Sequence, residues 1–166
     1  MKKGNPKISE YFDLHKFASD VSQARSDRGF TQDEMASFLC IQRSTIVRYE
    51  DETHIPTPDY LFRFCRMLGL DPNDYRKKAI KAQENDCNEV TANEMPPAFD
   101  SESFRRDLLD ARLGQNMLQD DIPRIYKIKR TAYGAIERTG KLSTEMLYKL
   151  CEIFHINDLK KYIKRQ

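Results

Sequence analysis

Residues 12–50 recur, diverged but in register, at 99–137. Both stretches open on Phe-Asp, as Phe12-Asp13 and Phe99-Asp100. Phe17, Asp20, Ala24, Arg25, Gln32, Asp33, Ile41, Arg43 and Glu50 then return as Phe104, Asp107, Ala111, Arg112, Gln119, Asp120, Ile128, Arg130 and Glu137. The two stretches share 11 identities over 39 gapless positions. Unrelated segments of ordinary composition share about two or three. Such a repeat settles the number of modules before any element is assigned. The 166 residues therefore divide into two modules of about 65–70 residues, a size that buries a modest core and can fold alone.

The apolar spacing inside each module is helical. Asp13 stands as an N-cap, with Phe12 before it and Phe17 four residues after it, the spacing of a hydrophobic staple. Asp100, Phe99 and Phe104 repeat the arrangement. Phe17, Val21 and Ala24 share one face, as do Phe104, Leu108 and Ala111. Gly29 stops the first helix of one module and Asn116 that of the other, each suited to a left-handed cap. Thr31-Gln32-Asp33-Glu34 reads as a capping box opening a second helix, with Met35, Phe38 and Leu39 turned inward. A tight turn, Cys40-Ile41-Gln42, leads to a third helix over roughly residues 43–51, with Ile46 and Tyr49 inward.

Thr57-Pro58 opens a fourth helix, which buries Leu61, Phe64, Cys65 and Leu68 and stops at Gly69. Asp71-Pro72 starts a fifth. In the second module the fourth helix follows Ser143 and buries Leu147, Leu150, Cys151 and Phe154, and a fifth follows Asn157. One residue is missing between Glu137 and Ser143, in a loop where deletions are tolerated. The expected fold is all-α: two tandem five-helix domains, residues 1–83 and 99–166. An acidic linker over 84–98, carrying Pro96-Pro97, joins them, and the first module's fifth helix can extend into it.

Charge and cysteine usage narrow the function. The net charge is +2, too small to announce a nucleic-acid partner, but it is unevenly spread. Residues 1–80 hold 13 basic and 12 acidic side chains, 81–100 hold 1 and 5, and 101–166 hold 14 and 9. The last surplus includes Arg124, Lys127, Lys129 and Arg130, close together in sequence. A solvated face accounts for such a run, and so does phosphate contact; its position around the second turn favours the latter. No apolar run approaches the roughly 18 residues of a membrane span. No apolar stretch follows the basic start, so a secretory signal is not expected and the cytoplasm is. Cys40, Cys65, Cys87 and Cys151 show no C-x-x-C spacing and the three histidines are scattered. Cys65 and Cys151 read as buried free thiols, and no metal or cofactor is implied. No Gly-rich phosphate loop or nucleophile–base pair appears, so an enzyme is not expected. Asp120-Asp121 reads as an ordinary helix start.

Two helices joined by a short turn, the second rich in Arg, Ser and Thr at its start, form the pattern of a major-groove reader. The resemblance then becomes specific. The stretch Arg25…Gly29-Phe30-Thr31-Gln32-Asp33-Glu34-Met35-Ala36…Ile41-Gln42-Arg43-Ser44-Thr45-Ile46-Val47-Arg48-Tyr49-Glu50…Pro56-Thr57…Leu61 resembles the lambda-repressor-like, Cro-type helix-turn-helix family, often called XRE. The resemblance covers residues 17–75 closely and the second repeat loosely. It implies a sequence-specific regulator of double-stranded DNA, a repressor, that reads the major groove with the third helix of each repeat. It implies that Gln32 touches a phosphate and braces the recognition helix. It places Arg43, Ser44 and Arg48 at base-reading positions, with Gln42 and Thr45 as secondary candidates. It also implies that Arg25 pairs with Glu50, and Arg112 with Glu137, as structural ion pairs. Family members usually bind as dimers on two half-sites; a tandem chain can instead supply both heads itself.

The second repeat departs from the pattern. Pro123 replaces Ala36 inside the second helix, which predicts a shortened or kinked element. Leu118 replaces Thr31, Lys127 replaces Cys40, Ala135 replaces Arg48, and Gly134 weakens the third helix. Gln119, Arg124, Lys127, Lys129, Arg130 and Thr131 remain as DNA-contact candidates. Two readings stay open for this module: DNA binding with more phosphate contact and less base reading, or a domain for packing, self-association or partner binding. For the whole chain, the alternative to a DNA regulator is a helix-turn-helix interaction protein of the antitoxin or phage and plasmid inhibitor type. A flexible connector of about 17 residues spans roughly 20–25 Å and stretches beyond 50 Å. Half-sites one turn apart are separated by about 34 Å, within its reach.

Overall fold

The computed structural model describes residues 9–77 and 99–164. The expected linker over 84–98, and any extension of the first module into it, lie outside the described residues. The described elements are helical: α1 (Leu14–Asp27), α2 (Gln32–Phe38), α3 (Arg43–Glu50), α4 (Pro58–Leu68), α5 (Ser101–Gly114), α6 (Asp121–Tyr126), α7 (Arg130–Thr139) and α8 (Thr144–Ile153). The expected fifth helices are instead 3-10 turns, Pro72–Tyr75 and Lys160–Tyr162. The local reason is that each turn is pulled straight into an antiparallel bridge. Phe12 pairs with Arg76, and Phe99 with Ile163. The Asp13 N–H donates to the Tyr75 carbonyl at 2.8 Å, and the Asp100 N–H to the Tyr162 carbonyl at 2.6 Å. Each unit of four helices is thus closed by tying its end to its start.

The caps form where the sequence puts them. Asp13 accepts from the Lys16 N–H at 3.0 Å and Asp100 from the Ser103 N–H at 3.1 Å. The Ser103 N–H and hydroxyl hold the Asp100 carboxyl below its usual range. The Phe12–Phe17 and Phe99–Phe104 rings lie 5.6 and 5.7 Å apart. Thr31 and Glu34 complete a reciprocal capping box. Gly29 and Asn116 both adopt positive φ, at 70° and 54°. Leu61, Phe64, Cys65 and Leu68 are buried, as are Leu147, Leu150, Cys151 and Phe154. Cys65 and Cys151 are free thiols, and burial pushes Cys151 up to about 12.

One expectation within the helices is corrected. Phe38 is 42% exposed rather than inward. The buried arc of α2 is centred on Met35, Ala36 and Leu39, and position 38 lies ~100° around the helix from that centre. Its ring rests on Phe30, 5.2 Å away. The element that carries Pro123 is shortened rather than kinked: α6 has 6 residues against 7 in α2 and begins at Asp121, the counterpart of Glu34 rather than of Gln32, so Pro123 falls in its first turn. A proline there forfeits only an N–H that has no intrahelical partner anyway. The Asp121 carboxylate still accepts from the Leu118 N–H at 2.7 Å, as Glu34 does from Thr31. Gly134 lies inside the third helix of its unit. α7 has 10 residues against 8 in α3 and ends at Gly140, with φ at 67°.

The two units pack on each other. α4 lies against α8. Phe62 stacks on Phe99 at 5.1 Å, and Phe12 on Tyr148 at 5.3 Å. The Tyr148 hydroxyl donates to the Pro72 carbonyl at 2.5 Å, and the Thr144 hydroxyl to the Pro56 carbonyl. Arg76 donates to the Ile156 carbonyl at 2.6 Å, and Lys160 pairs with Asp71 at 2.9 Å. The Leu159 N–H donates to the Asn73 side-chain oxygen at 3.0 Å. Phe62 and Tyr148 are 0% and 2% exposed, because each fills the boundary between units rather than its own unit's interior.

This shared interior makes unfolding a joint event. Phe62→Ala should cost roughly 3–5 kcal/mol and Tyr148→Phe about 1–3 kcal/mol, the latter by stranding the Pro72 carbonyl. In urea, both variants should show a lowered midpoint of one cooperative transition. Two separate transitions in the parent chain would contradict the shared core.

Candidate nucleic-acid interface

The recognition candidate α3 is held at both ends by polar side chains. Near its C-terminus, Arg25 Nε donates to Glu50 Oε1 at 2.6 Å, and a second guanidinium nitrogen donates to Glu50 Oε2 at 3.2 Å. The third donates to the Phe30 carbonyl at 2.8 Å. The two side chains are only 16% and 8% exposed. Gln32, first residue of α2, donates its amide N–H to Glu50 Oε2 at 2.7 Å. Its amide oxygen accepts from Arg43, first residue of α3, at 3.3 Å. Arg25, Glu50, Gln32 and Arg43 therefore form one chain of contacts across α1, α2 and α3. Residues 43 and 50 are two turns apart on α3, so Gln32 reaches both ends of one face.

The second unit reproduces the buried part. Arg112 Nε donates to Glu137 Oε1 at 2.7 Å and another guanidinium nitrogen to the Met117 carbonyl at 2.8 Å. Gln119 donates to Glu137 Oε2 at 2.5 Å. The exposed part differs. Arg130 pairs with Asp120 at 2.7 Å, whereas Arg43 lies 3.6 Å from the matching Asp33. Arg124 pairs with Asp121 at 2.6 Å. These are exposed pairs, worth little on their own and easily exchanged for another anion.

Outside the brace, the candidate contact residues face solvent. Gln42, Arg43, Ser44 and Arg48 are exposed and Thr45 is half-buried. Ser44 and Arg48 stand one turn apart on the open face of α3, while Ile46 and Tyr49 are buried behind it. Gln42 stands at the start of α3 with extended backbone and no side-chain capping bond, and its amide oxygen accepts from the Ser44 hydroxyl at 3.5 Å. Across the second turn, Arg124, Lys127, Lys129, Arg130 and Thr131 are exposed and Ala135 is half-buried. Both turns use a left-handed non-glycine residue at the same place, Cys40 and Lys127, each with φ at 52°. The sequence did not reveal the Gln32–Arg43 contact or the Asp33 and Asp120 partners. Their only signal was that Gln, Asp and Arg all recur between repeats. Among the described residues no three His, Cys, Asp or Glu side chains gather as a metal site, and no helix is long and apolar enough to cross a membrane.

The buried pair predicts a specific stability pattern. Glu50→Ala leaves the Arg25 guanidinium buried without a counter-charge and should cost roughly 3–5 kcal/mol. The double variant Arg25→Met with Glu50→Leu should recover most of that loss, since no lone charge remains. Thermal melts of the three proteins check this; a double variant as unstable as Glu50→Ala would mean the pair is not the source.

The comparisons with known proteins fit this geometry on one side of the molecule. A helix-turn-helix family model matches residues 21–75, from the middle of α1 through α2, α3 and α4 to the end of the first 3-10 turn. No curated protein and no solved structure matches the chain.

Proposed function

We propose that the protein is a sequence-specific, double-stranded DNA-binding regulator of the XRE type, acting as a repressor, with α3 as its main reading helix. The observation that carries the reading is the combination of the family match over 21–75 with an α3 whose Arg43, Ser44 and Arg48 are exposed on a helix braced at both ends. A fixed helix with exposed arginines suits the major groove, where an arginine binds guanine O6 and N7 bidentately. One N–H of the Gln32 amide holds Glu50, and the other is available to a phosphate oxygen. Asp33 beside Arg43 is displaced when the guanidinium meets DNA.

We further propose that residues 99–164 are a diverged second copy of the same unit. The support is the repeat of 11 identities and the reappearance of the Arg–Glu–Gln brace as Arg112, Glu137 and Gln119. Ala135 in place of Arg48 removes a base-reading side chain, while Lys127, Lys129 and Arg130 add positive charge around the turn. Phosphate contact is therefore the larger part of this copy's task, with exposed Thr131, at the position of Ser44, left to meet a base. The protein-binding alternative of the antitoxin or inhibitor type has a narrower basis: Leu113, Leu118 and Ile125 are exposed apolar residues of this unit.

Arg43→Ala and Arg48→Ala should fold like the parent, because both side chains are exposed. Each should lose about 1–3 kcal/mol of discrimination between bases. Competition binding with single-base-pair variants of a selected duplex reads this loss; undiminished discrimination in both variants would remove α3 from the interface. Neutralising Lys127, Lys129 and Arg130 together should weaken binding evenly across sequences and flatten the salt dependence by about 0.9 in slope per lost phosphate contact. An unchanged slope would take the second copy off the DNA and leave the protein-binding reading for it.

A further inference from the structure

We infer that one chain is a complete two-headed reader. Its two units pair with each other about a pseudo-two-fold and hold both recognition helices at a fixed separation, so the ligand is a composite duplex with unlike halves at a single spacing. The inference rests on the DNA reading proposed above and adds the form of the target and the stoichiometry.

The pairing is reciprocal. Phe12 of the first unit meets Tyr148 of the second, and Phe99, the counterpart of Phe12, meets Phe62, the counterpart of Tyr148. Contact of i with j′ and of i′ with j is the signature of a two-fold, since a head-to-tail contact joins different patches. The loop before each fourth helix repeats the pattern. Thr144 bonds the Pro56 carbonyl, and Pro58, the counterpart of Thr144, lines one cleft with Leu142, the counterpart of Pro56. The two half-sites of a duplex are themselves related by a two-fold, so a pseudo-two-fold pair of units matches that symmetry.

The pairing also prefers unlike units. Tyr148 has a hydroxyl for the Pro72 carbonyl where Phe62 has none. Asn73 accepts from the Leu159 N–H, Arg76 bonds the Ile156 carbonyl, and Lys160 pairs with Asp71. The Lys160–Asp71 pair is lost if like units meet, since Asp74 stands for Lys160 in the first unit and Asn157 for Asp71 in the second, so self-pairing of like units across chains forfeits it. The α4–α8 face is filled from within the chain, and a second chain has no access to it.

The pairing leaves both reading faces open. Arg43, Ser44 and Arg48 are exposed on one side and Arg130 and Thr131 on the other. The heads are chemically different, with Gln42 against Lys129 and Arg48 against Ala135. A rigid body with two different heads selects two different half-sites and tolerates no change in their spacing. A flexible tether would instead accept halves moved by a whole turn.

The test selects duplexes from a random-sequence pool several helical turns long, using the full chain. It then measures affinity and sedimented mass with the best duplex and with versions carrying a half-turn or a full-turn insertion between its halves. The expected result is a bipartite motif with unlike halves at one spacing and one chain per duplex. Either insertion should lower affinity about 100-fold, the scale of a lost second head. A palindrome bound by two chains, a single half-site, or full affinity restored by the full-turn insertion would each overturn the inference and leave the DNA reading standing. A pool in which no sequence is enriched would overturn the DNA reading itself, and this inference with it.

Discussion

The Arg25–Glu50 pair is the contact on which the rest of the first unit depends. A guanidinium and a carboxylate this poorly exposed have given up most of their hydration, so the arrangement persists only if every strong donor and acceptor finds a partner. The structure meets that condition locally. Arg25 offers two nitrogens to Glu50 and a third to the Phe30 carbonyl, while Gln32 completes Glu50. Each bond constrains an element: α3 through Glu50, the α1–α2 turn through Phe30, and the start of α2 through Gln32. The orientation of the reading helix is therefore set by charge satisfaction as much as by the packing of Ile46 and Tyr49. The same solution in Arg112, Glu137 and Gln119 explains why this part of the second unit stayed intact while its surface changed.

Divergence between the units is confined to what the brace does not need. Thr31 becomes Leu118, yet the acid three residues on still accepts the preceding backbone N–H. Ala36 becomes Pro123 where a proline is cheapest, in a first helical turn. Arg48 becomes Ala135 on the outer face. These outer positions differ while the buried brace of the second unit still forms. Stability and recognition reside in different residues, and the Glu50 and Arg48 substitutions separate them experimentally.

Most of the helical order was legible because the signals are local. Asp13, Thr31, Thr57, Gly29 and Gly69 mark ends by chemistry that acts within one turn, and the staple phenylalanines add a period. The fifth helices were misread because Asp71-Pro72 signals a helical start but not its length. The bridge to Phe12 stops the turn, and that pairing is distant in sequence. Phe38 was misassigned by spacing alone, since i+3 from Met35 falls to the side of a two-turn helix. The contact between units was missed altogether. Its one sequence trace is that α4 is apolar at 61, 62, 64 and 65, a wider arc than one core requires. Within the candidate site, Arg43, Ser44 and Arg48 were singled out by the family resemblance, whereas the Gln32–Arg43 contact depends on side-chain reach that no spacing encodes.

On the proposed DNA reading, a braced α3 with exposed arginines and a second unit with charge but fewer readers make different kinds of contact with the two halves of a bound duplex. Chemical interference on a duplex selected by the full chain measures that assignment directly. Methylation of guanine N7 blocks base reading, and ethylation of phosphates blocks backbone contact. The account predicts that N7 methylation interferes in one half only, where Arg43 and Arg48 lie, while phosphate ethylation interferes in both. Interference by N7 methylation in neither half, with binding otherwise intact, would contradict it.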